Sequence, residues 1–218
     1  MNKFITSVLI MLFATVLLGS PLFAGKKAGE VTEGVFTDND YGYSFKIPEG
    51  WSESVKKSQS AIRIVAHQKD YPVPRDYIGG NEDYAQIPTM VILADTSSLN
   101  SKVFTDSLFS DSFSSKQKKF FLKNMRLLNG SFEVLSRKEY TFRDQLAVLV
   151  EIRKQYSREI QSESGSDKAD IVNDYIGGAL FITVRGGKVF ALEMEYEYQF
   201  HGTYKQILDM LLASLKFN

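Results

Sequence analysis

The second half of the chain is written in a period of two. Leu146, Val148, Val150 and Ile152 occupy alternate positions of residues 145–156, and Phe190, Leu192, Met194, Tyr196 and Tyr198 do the same within residues 188–200. Successive side chains of a strand point to opposite faces, so this pattern commits the region to β-structure with one face buried. Arg143-Asp144 separates the strand at 132–142 from the one at 145–156. Gly186-Gly187, a dipeptide that accepts positive φ, separates residues 175–185 from 188–200. Strands joined by turns this short pair antiparallel. Residues 157–174 lack apolar periodicity and read as a long polar loop.

The first half adds shorter strands. Residues 35–38 and 41–47 form a hairpin about Asn39-Asp40, with Tyr41, Tyr43, Phe45 and Ile47 on its buried face. Pro48-Glu49-Gly50 turns the chain into Trp51, a core residue. A strand at 61–68 places Ile62, Ile64 and Ala66 on one face and Arg63, Val65 and His67 on the other, and a further strand covers 89–94. Two helices follow, at 101–109 with Ser101 as N-cap and at 115–128 with Phe121, Met125 and Leu128 on its apolar face. Asn129-Gly130 stops the second. The last element is a helix in which Thr203 and Gln206 fit a capping box and Tyr204, Leu208, Leu211, Leu212 and Leu215 form an apolar stripe. Such a stripe must pack on a sheet face. The fold class expected is α+β, an antiparallel sheet with helices on its faces.

The amino terminus has the order of a secretory leader: Lys3, an apolar stretch from Phe4 to Leu18, a break at Gly19-Ser20-Pro21, and a small residue at Ala24 before Gly25. Cleavage is expected between Ala24 and Gly25, with a membrane-tethered form as the alternative if the leader is retained. Residues 25–34 read as a flexible linker and residues 35–218 as one domain. With the leader removed the chain is exported, periplasmic or extracellular. It contains no cysteine, so neither disulfides nor thiolate metal sites support it. Lys+Arg and Asp+Glu both total 26, which supplies no net field for nucleic acid.

Tyr41-Gly42-Tyr43-Ser44-Phe45-Lys46-Ile47-Pro48-Glu49-Gly50-Trp51 resembles the opening of PsbP-like domains, an aromatic strand followed by Pro-x-Gly-Trp. Gly187-Lys188-Val189-Phe190-Ala191-Leu192 and a final helix closing on Leu215-Lys216-Phe217 are similar to the end of those domains. The resemblance implies an antiparallel sheet sandwiched by helices and a non-catalytic binding or assembly role.

No catalytic constellation stands out. His67 and His201 share no metal-ligand spacing, no Gly-x-Ser-x-Gly elbow occurs, and neither Gly-Gly pair opens a helix as a phosphate loop does. No metal or cofactor is therefore expected. Serines between Ser97 and Ser115 read as caps and loop solvation. Glu193, Glu195 and Glu197 lie on one strand face, either as its solvated side or as calcium ligands. Lys116, Lys118, Lys119, Lys123 and Arg126 make the second helix basic, a solvated face or a docking patch. Asp-Tyr-Ile-Gly-Gly occurs at both 76–80 and 174–178, and the two copies are candidates for a shared rim. The long loop at 69–86 offers Tyr71, Arg75, Asp76, Tyr77 and Tyr84, residue types that interfaces favour. These observations point to an exported binding or assembly module that takes another envelope protein or a small ligand. The alternative is an envelope hydrolase with its site near 157–174.

Overall fold

Antiparallel pairing of the period-two segments builds a seven-stranded sheet in the order β4-β5-β6-β10-β9-β8-β7. Its strands are β4 (Trp51–Val55), β5 (Ile62–Gln68), β6 (Thr89–Thr96), β7 (Glu133–Phe142), β8 (Gln145–Gln161), β9 (Ala169–Arg185) and β10 (Lys188–Glu197). A smaller sheet, ordered β1-β2-β3-β11, comprises β1 (Glu30–Thr32), β2 (Val35–Asp38), β3 (Tyr43–Lys46) and β11 (Lys216–Phe217). The helices are α1 (Ser101–Phe109), α2 (Lys116–Asn124) and α3 (His201–Ser214). This computed structural model describes residues 25–71, 88–110, 116–161 and 169–218.

The large sheet is covered on both faces. On one, α3 and the small sheet pack over Ile64, Met90, Ile92, Phe181, Leu192 and Met194, and the stripe of Tyr204, Leu208, Leu211, Leu212 and Leu215 is buried as its spacing requires. On the other, Phe104 and Leu108 of α1, Phe121 of α2, and Met125, Leu127 and Leu128 pack over Leu93, Val148, Val150, Leu180 and Ile182. The expected α+β class is thus what the chain adopts, and Trp51 is in the core.

Several local expectations give way to tertiary contacts. Asn100, not Ser101, caps α1: its Oδ1 accepts from the Val103 amide at 2.9 Å. Ser101 instead bridges to the sheet, donating to the Leu146 carbonyl at 2.6 Å and accepting from the Val184 amide at 2.8 Å. The second helix ends at Asn124, and a 3₁₀ turn over Arg126–Leu128 finishes the segment after Met125 adopts extended dihedrals. Thr203 lies inside α3, because that helix grows from a 3₁₀ turn at Tyr198–Phe200 with no side-chain cap. Residues 25–34, expected as a flexible linker, include a strand and a buried residue. Ala28 is buried, its amide bonds the Lys56 carbonyl at 2.8 Å, and Glu30–Thr32 pair with β2.

The largest departure is at 157–174. No polar loop occupies its described part: β8 and β9 stay in register from Ala147↔Thr183 out to Gln161↔Ala169. The neighbouring strands stop earlier, β7 at Arg153 and β10 opposite Ile176. Beyond those points, among the described residues, β8 and β9 pair only with each other, as a ribbon projecting from the sheet. A ribbon with no third strand has little reason to alternate apolar and polar residues, which is why the period fades there.

Arg63 breaks the expected alternation of β5. The register with β6 shifts between Ile62 and Ile64, a bulge that sends Ile62 to the α1–α2 face and Ile64 to the α3 face. Arg63, expected on a wet face, is 1% exposed. Its Nε donates to Asp38 Oδ2 at 2.6 Å, and Nη2 donates to Asp40 Oδ2 at 2.8 Å and to the Ala28 carbonyl at 3.2 Å. Nη1 reaches the Ser58 and Ser60 carbonyls, each at 2.7 Å. Removing one partner of a buried ion pair strands the other charge and costs about 3–5 kcal/mol. Arg63→Leu is therefore expected to destabilise the protein by that amount, read as a lower urea midpoint, and Arg63→Lys, which lacks the forked donors, is expected to recover little of it. A midpoint unchanged in Arg63→Leu would remove the pair from the stability of the fold.

Candidate functional site

The two ends of the large sheet carry different chemistry. At one end lie the tight turns. Gly186 and Gly187 have φ of 55° and 75°, the positive values that a two-residue hairpin turn requires. This turn makes Arg185 and Lys188 direct cross-strand partners. Beside them β11 pairs with β3, and the Asn218 amide donates to the Gly42 carbonyl at 2.8 Å, which closes the small sheet against the hairpin.

The closure leaves a cleft of ≈ 210 Å³. Its floor is aromatic: Tyr43 and Phe190 meet edge to face at 4.8 Å, and Phe190 meets Phe217 at 5.7 Å and 89°. Its lip is cationic. The Arg185 guanidinium lies 5.8 Å from the Phe217 ring centre, and Lys188 Nζ lies 5.8 Å from that of Tyr41 while donating to the Asp40 carbonyl at 3.1 Å. Burial, with the Asp95 charge, pushes the Tyr41 hydroxyl above its ordinary range, so at neutral pH it is a neutral phenol. The expectations from sequence did not single out this cleft. Its one sequence signal is the pair of cations flanking Gly186-Gly187.

At the opposite end, Glu193, Glu195 and Glu197 continue the β10 face that Val189 and Ala191 begin. A wet face was expected. Instead the three are 1%, 3% and 8% exposed. Glu193 Oε1 accepts from the Arg126 amide at 2.8 Å, Arg126 Nε lies 3.4 Å from Glu195 Oε2, and Gln199 Nε2 donates to Glu197 Oε2 at 2.6 Å. Arg126 therefore leaves the solvated face of the basic segment. Among the described residues, Glu193 Oε2 is buried without a hydrogen-bond partner, and no group of three or more His, Asp or Glu is placed to hold a metal ion.

The remaining candidates are tied into local networks. His67 Nδ1 is 2.8 Å from Thr89 Oγ1, and His201 Nδ1 is 2.9 Å from the Tyr196 hydroxyl. Tyr196 stacks on Tyr204 at 5.1 Å, whose hydroxyl donates to Gln68 Oε1 at 2.7 Å and is pushed up to about 12 by burial. Ser136 and Lys205 both donate to Glu151, at 2.7 Å and 3.2 Å. Those donors outweigh burial and hold the Glu151 carboxyl below its ordinary range.

Of the expected partner residues, Tyr71 is half-buried just past the end of β5, and Arg75, Asp76, Tyr77 and Tyr84 lie outside the described residues. Ala24 lies outside them as well, while Gly25 is described and exposed. The Asp76–Gly80 copy of the repeated pentapeptide is also outside them. The copy at 174–178 is not a turn but part of β9, where the ribbon leaves the sheet.

Glu193 gives the acidic row a measurable signature. Burial, then the neighbouring Glu195, push its carboxyl well above the ordinary 4.5. The folded chain then retains a proton that the unfolded chain has released. Its contribution to stability is fullest below pH 4.5 and declines as the pH climbs through the folded value. Glu193→Gln keeps an acceptor for the Arg126 amide without the ionisable group. Urea midpoints from about pH 4 to about pH 9 should show the variant gaining on the wild type as pH rises. Parallel profiles would mean that Glu193 is ionised in the fold.

No protein-family model matches the chain, and no curated protein matches it. Among solved structures it is similar to cyanobacterial PsbP from Synechocystis sp. PCC 6803, at 15% identity and a TM-score of 0.48, over 93% of this chain and 99% of that one. It is also similar to LpqN, described as involved in cell envelope biogenesis of Mycobacterium tuberculosis, at 12% identity and a TM-score of 0.42, over 83% and 87% of the two chains. A third is the Ran-binding protein Mog1p of Saccharomyces cerevisiae, at 9% identity and a TM-score of 0.44, over 86% and 96%.

Proposed function

We propose that the chain is an exported, non-catalytic binding or assembly module of the cell envelope, freed from its leader between Ala24 and Gly25. The observation that supports this reading is the structural use of the groups that could do chemistry, each of which has a polar atom committed to the fold. Here His201 Nδ1 bonds Tyr196, His67 Nδ1 bonds Thr89, Ser136 donates to Glu151, and Glu193 receives the Arg126 amide. Each of these groups holds one element of the fold to another. The register of the ribbon, with Ser157↔Asn173 through Gln161↔Ala169 paired, weighs against a lid over a hydrolytic site near 157–174.

The partner surface in this reading is the connection after β5, with Tyr71, Arg75, Asp76, Tyr77 and Tyr84 as its contact residues. Tyrosine and arginine bury large areas while keeping polar handles, and a few such anchors carry most of an interface's energy. The partner is another envelope protein. With the chain from Gly25 onward as bait in cross-linked envelope extract, changing Tyr71, Tyr77 and Tyr84 together to alanine should lower recovery of the wild-type partner by about tenfold or more. Equal recovery by the triple variant would take the segment out of the interface. Mass spectrometry of the exported protein should give Gly25 as its first residue, and an intact leader would favour the tethered form.

A further inference from the structure

We propose that the cleft at the tight-turn end is a binding site for a small anion with a flat apolar body, an arylcarboxylate being its simplest form. The cleft is at the far end of the sheet from Tyr71, because Gln68 and His67 lie at one end of β5 while Ile62, opposite Leu93, lies at the other. The proposal therefore goes beyond the partner-binding reading and does not depend on it.

The argument starts from a misfit. Arg185 and Lys188 are cross-strand partners, and like charges placed directly opposite each other destabilise a strand pair. A closing pair with complementary or neutral side chains would serve the hairpin better. Among the described residues no carboxylate lies within ion-pair distance of either cation. What they do have is aromatic, Arg185 over Phe217 and Lys188 over Tyr41, together with the Asp40 carbonyl that takes Lys188 Nζ at 3.1 Å. Those contacts hold each charge over a different ring at the cleft lip, and an anion bound by both would turn their mutual repulsion into shared attraction.

The shape selects the rest of the ligand. Below the cations the floor presents Tyr43, Phe190 and Phe217 in edge-to-face order, an arrangement that receives a flat ring more readily than a branched chain. The volume of ≈ 210 Å³ falls below the range of about 300–1,000 Å³ usual for drug-sized ligands, so the occupant is small. The nearby acids are Asp95, cross-strand from Val189, whose carboxylate accepts from the Thr96 amide at 2.8 Å, and Asp40, whose carboxylate is paired with Lys26 and Arg63. Their presence disfavours a dianion and favours a single negative charge. The same chemistry can come from a free aromatic acid or from the carboxyl-terminal aromatic residue of a peptide.

Titration of the mature protein with benzoate, followed by amide chemical shifts at about 50 mM ionic strength, tests the site. Saturable shifts are expected at Gly186, Gly187, Lys188 and Asn218. Benzyl alcohol, which lacks the charge, and acetate, which lacks the ring, should each bind about tenfold more weakly. Arg185→Gln and Lys188→Gln should each cost about tenfold in benzoate affinity. Lys188→Glu should abolish binding while leaving the hairpin at least as stable, since it replaces repulsion by attraction. A parallel arm with a short peptide ending in phenylalanine distinguishes the sources: tighter binding than benzoate assigns the cleft to a peptide terminus, and weaker binding to a free acid. Shifts centred elsewhere, equal affinity for acetate, undiminished benzoate binding by Lys188→Glu in a folded protein, or no saturable binding at all would overturn the proposal.

Discussion

A guanidinium with 1% exposure, held at 2.6 Å from a fully buried carboxylate, is the contact on which the joining of the two sheets depends. Arg63 belongs to the large sheet and Asp38 to the small one. Its carbonyl acceptors at Ala28, Ser58 and Ser60 add the segment before β1 and the β4–β5 turn. Five N–H donors in a fixed fork can satisfy that many directions at once, and an ammonium cannot. Desolvating two charges is costly unless geometry and extra hydrogen bonds compensate. Both conditions are met, because Asp38 Oδ1 also accepts the Asp40 and Tyr41 amides at 3.0 and 3.1 Å. The pair therefore fixes the turn that carries Tyr41 as well as the docking of one sheet on the other.

How far the fold was legible in sequence follows from what each signal measures. Period-two runs report burial of one face, so β8 near Val148, β10 near Phe190 and the leucine stripe of α3 were read correctly. Turn chemistry was equally readable. Arg143 and Asp144, with φ of 46° and 64°, form the expected hairpin turn without a glycine. Caps were less so, since Ser101 has the right side chain for a cap but is drawn to Leu146 and Val184 on strands far away in sequence. The bulge at Arg63 was invisible because nothing local distinguishes a charged residue on a wet face from one that crosses to meet Asp38.

The acidic row shows the same limit from the other side. Glu193, Glu195 and Glu197 alternate as a solvated strand face should, yet all three are buried, Glu193 and Glu195 against Arg126 and Glu197 against Gln199. Burial is tolerable because these neighbours bring their own donors. The 3₁₀ turn at Arg126–Leu128 offers unsatisfied amides at its start, one of which Glu193 takes, and Arg126 brings a positive charge toward Glu195. Polarity alone cannot tell a strand facing water from one facing an element with matching polar groups. Of the candidate sites, the sequence therefore located carboxylates without their environment. It passed over the cleft because Tyr43, Phe190 and Phe217 each look like ordinary core residues until three separate strands bring them together.

The ribbon end accounts for half of the pentapeptide repeat in steric terms. A β-carbon on Gly178 would come within 2.2 Å of Leu127 Cδ1, and one on Gly177 within 2.7 Å of the Tyr196 ring. Leu127 thus packs directly on the β9 backbone, which sets how closely the 3₁₀ turn approaches the sheet and hence how its amides reach Glu193. Two residues earlier in the strand, Tyr175 lies 4.9 Å from the Arg153 guanidinium, which is also 5.4 Å from the Tyr198 ring and 2.7 Å from Glu133 Oε2. This clamp sits where β7 and β10 stop and the two-stranded ribbon begins. Each residue of Asp174–Gly178 that the packing explains is explained by contacts within β9 and its neighbours. Tyr175, Gly177 and Gly178 of that copy are set by close packing at the root of the ribbon.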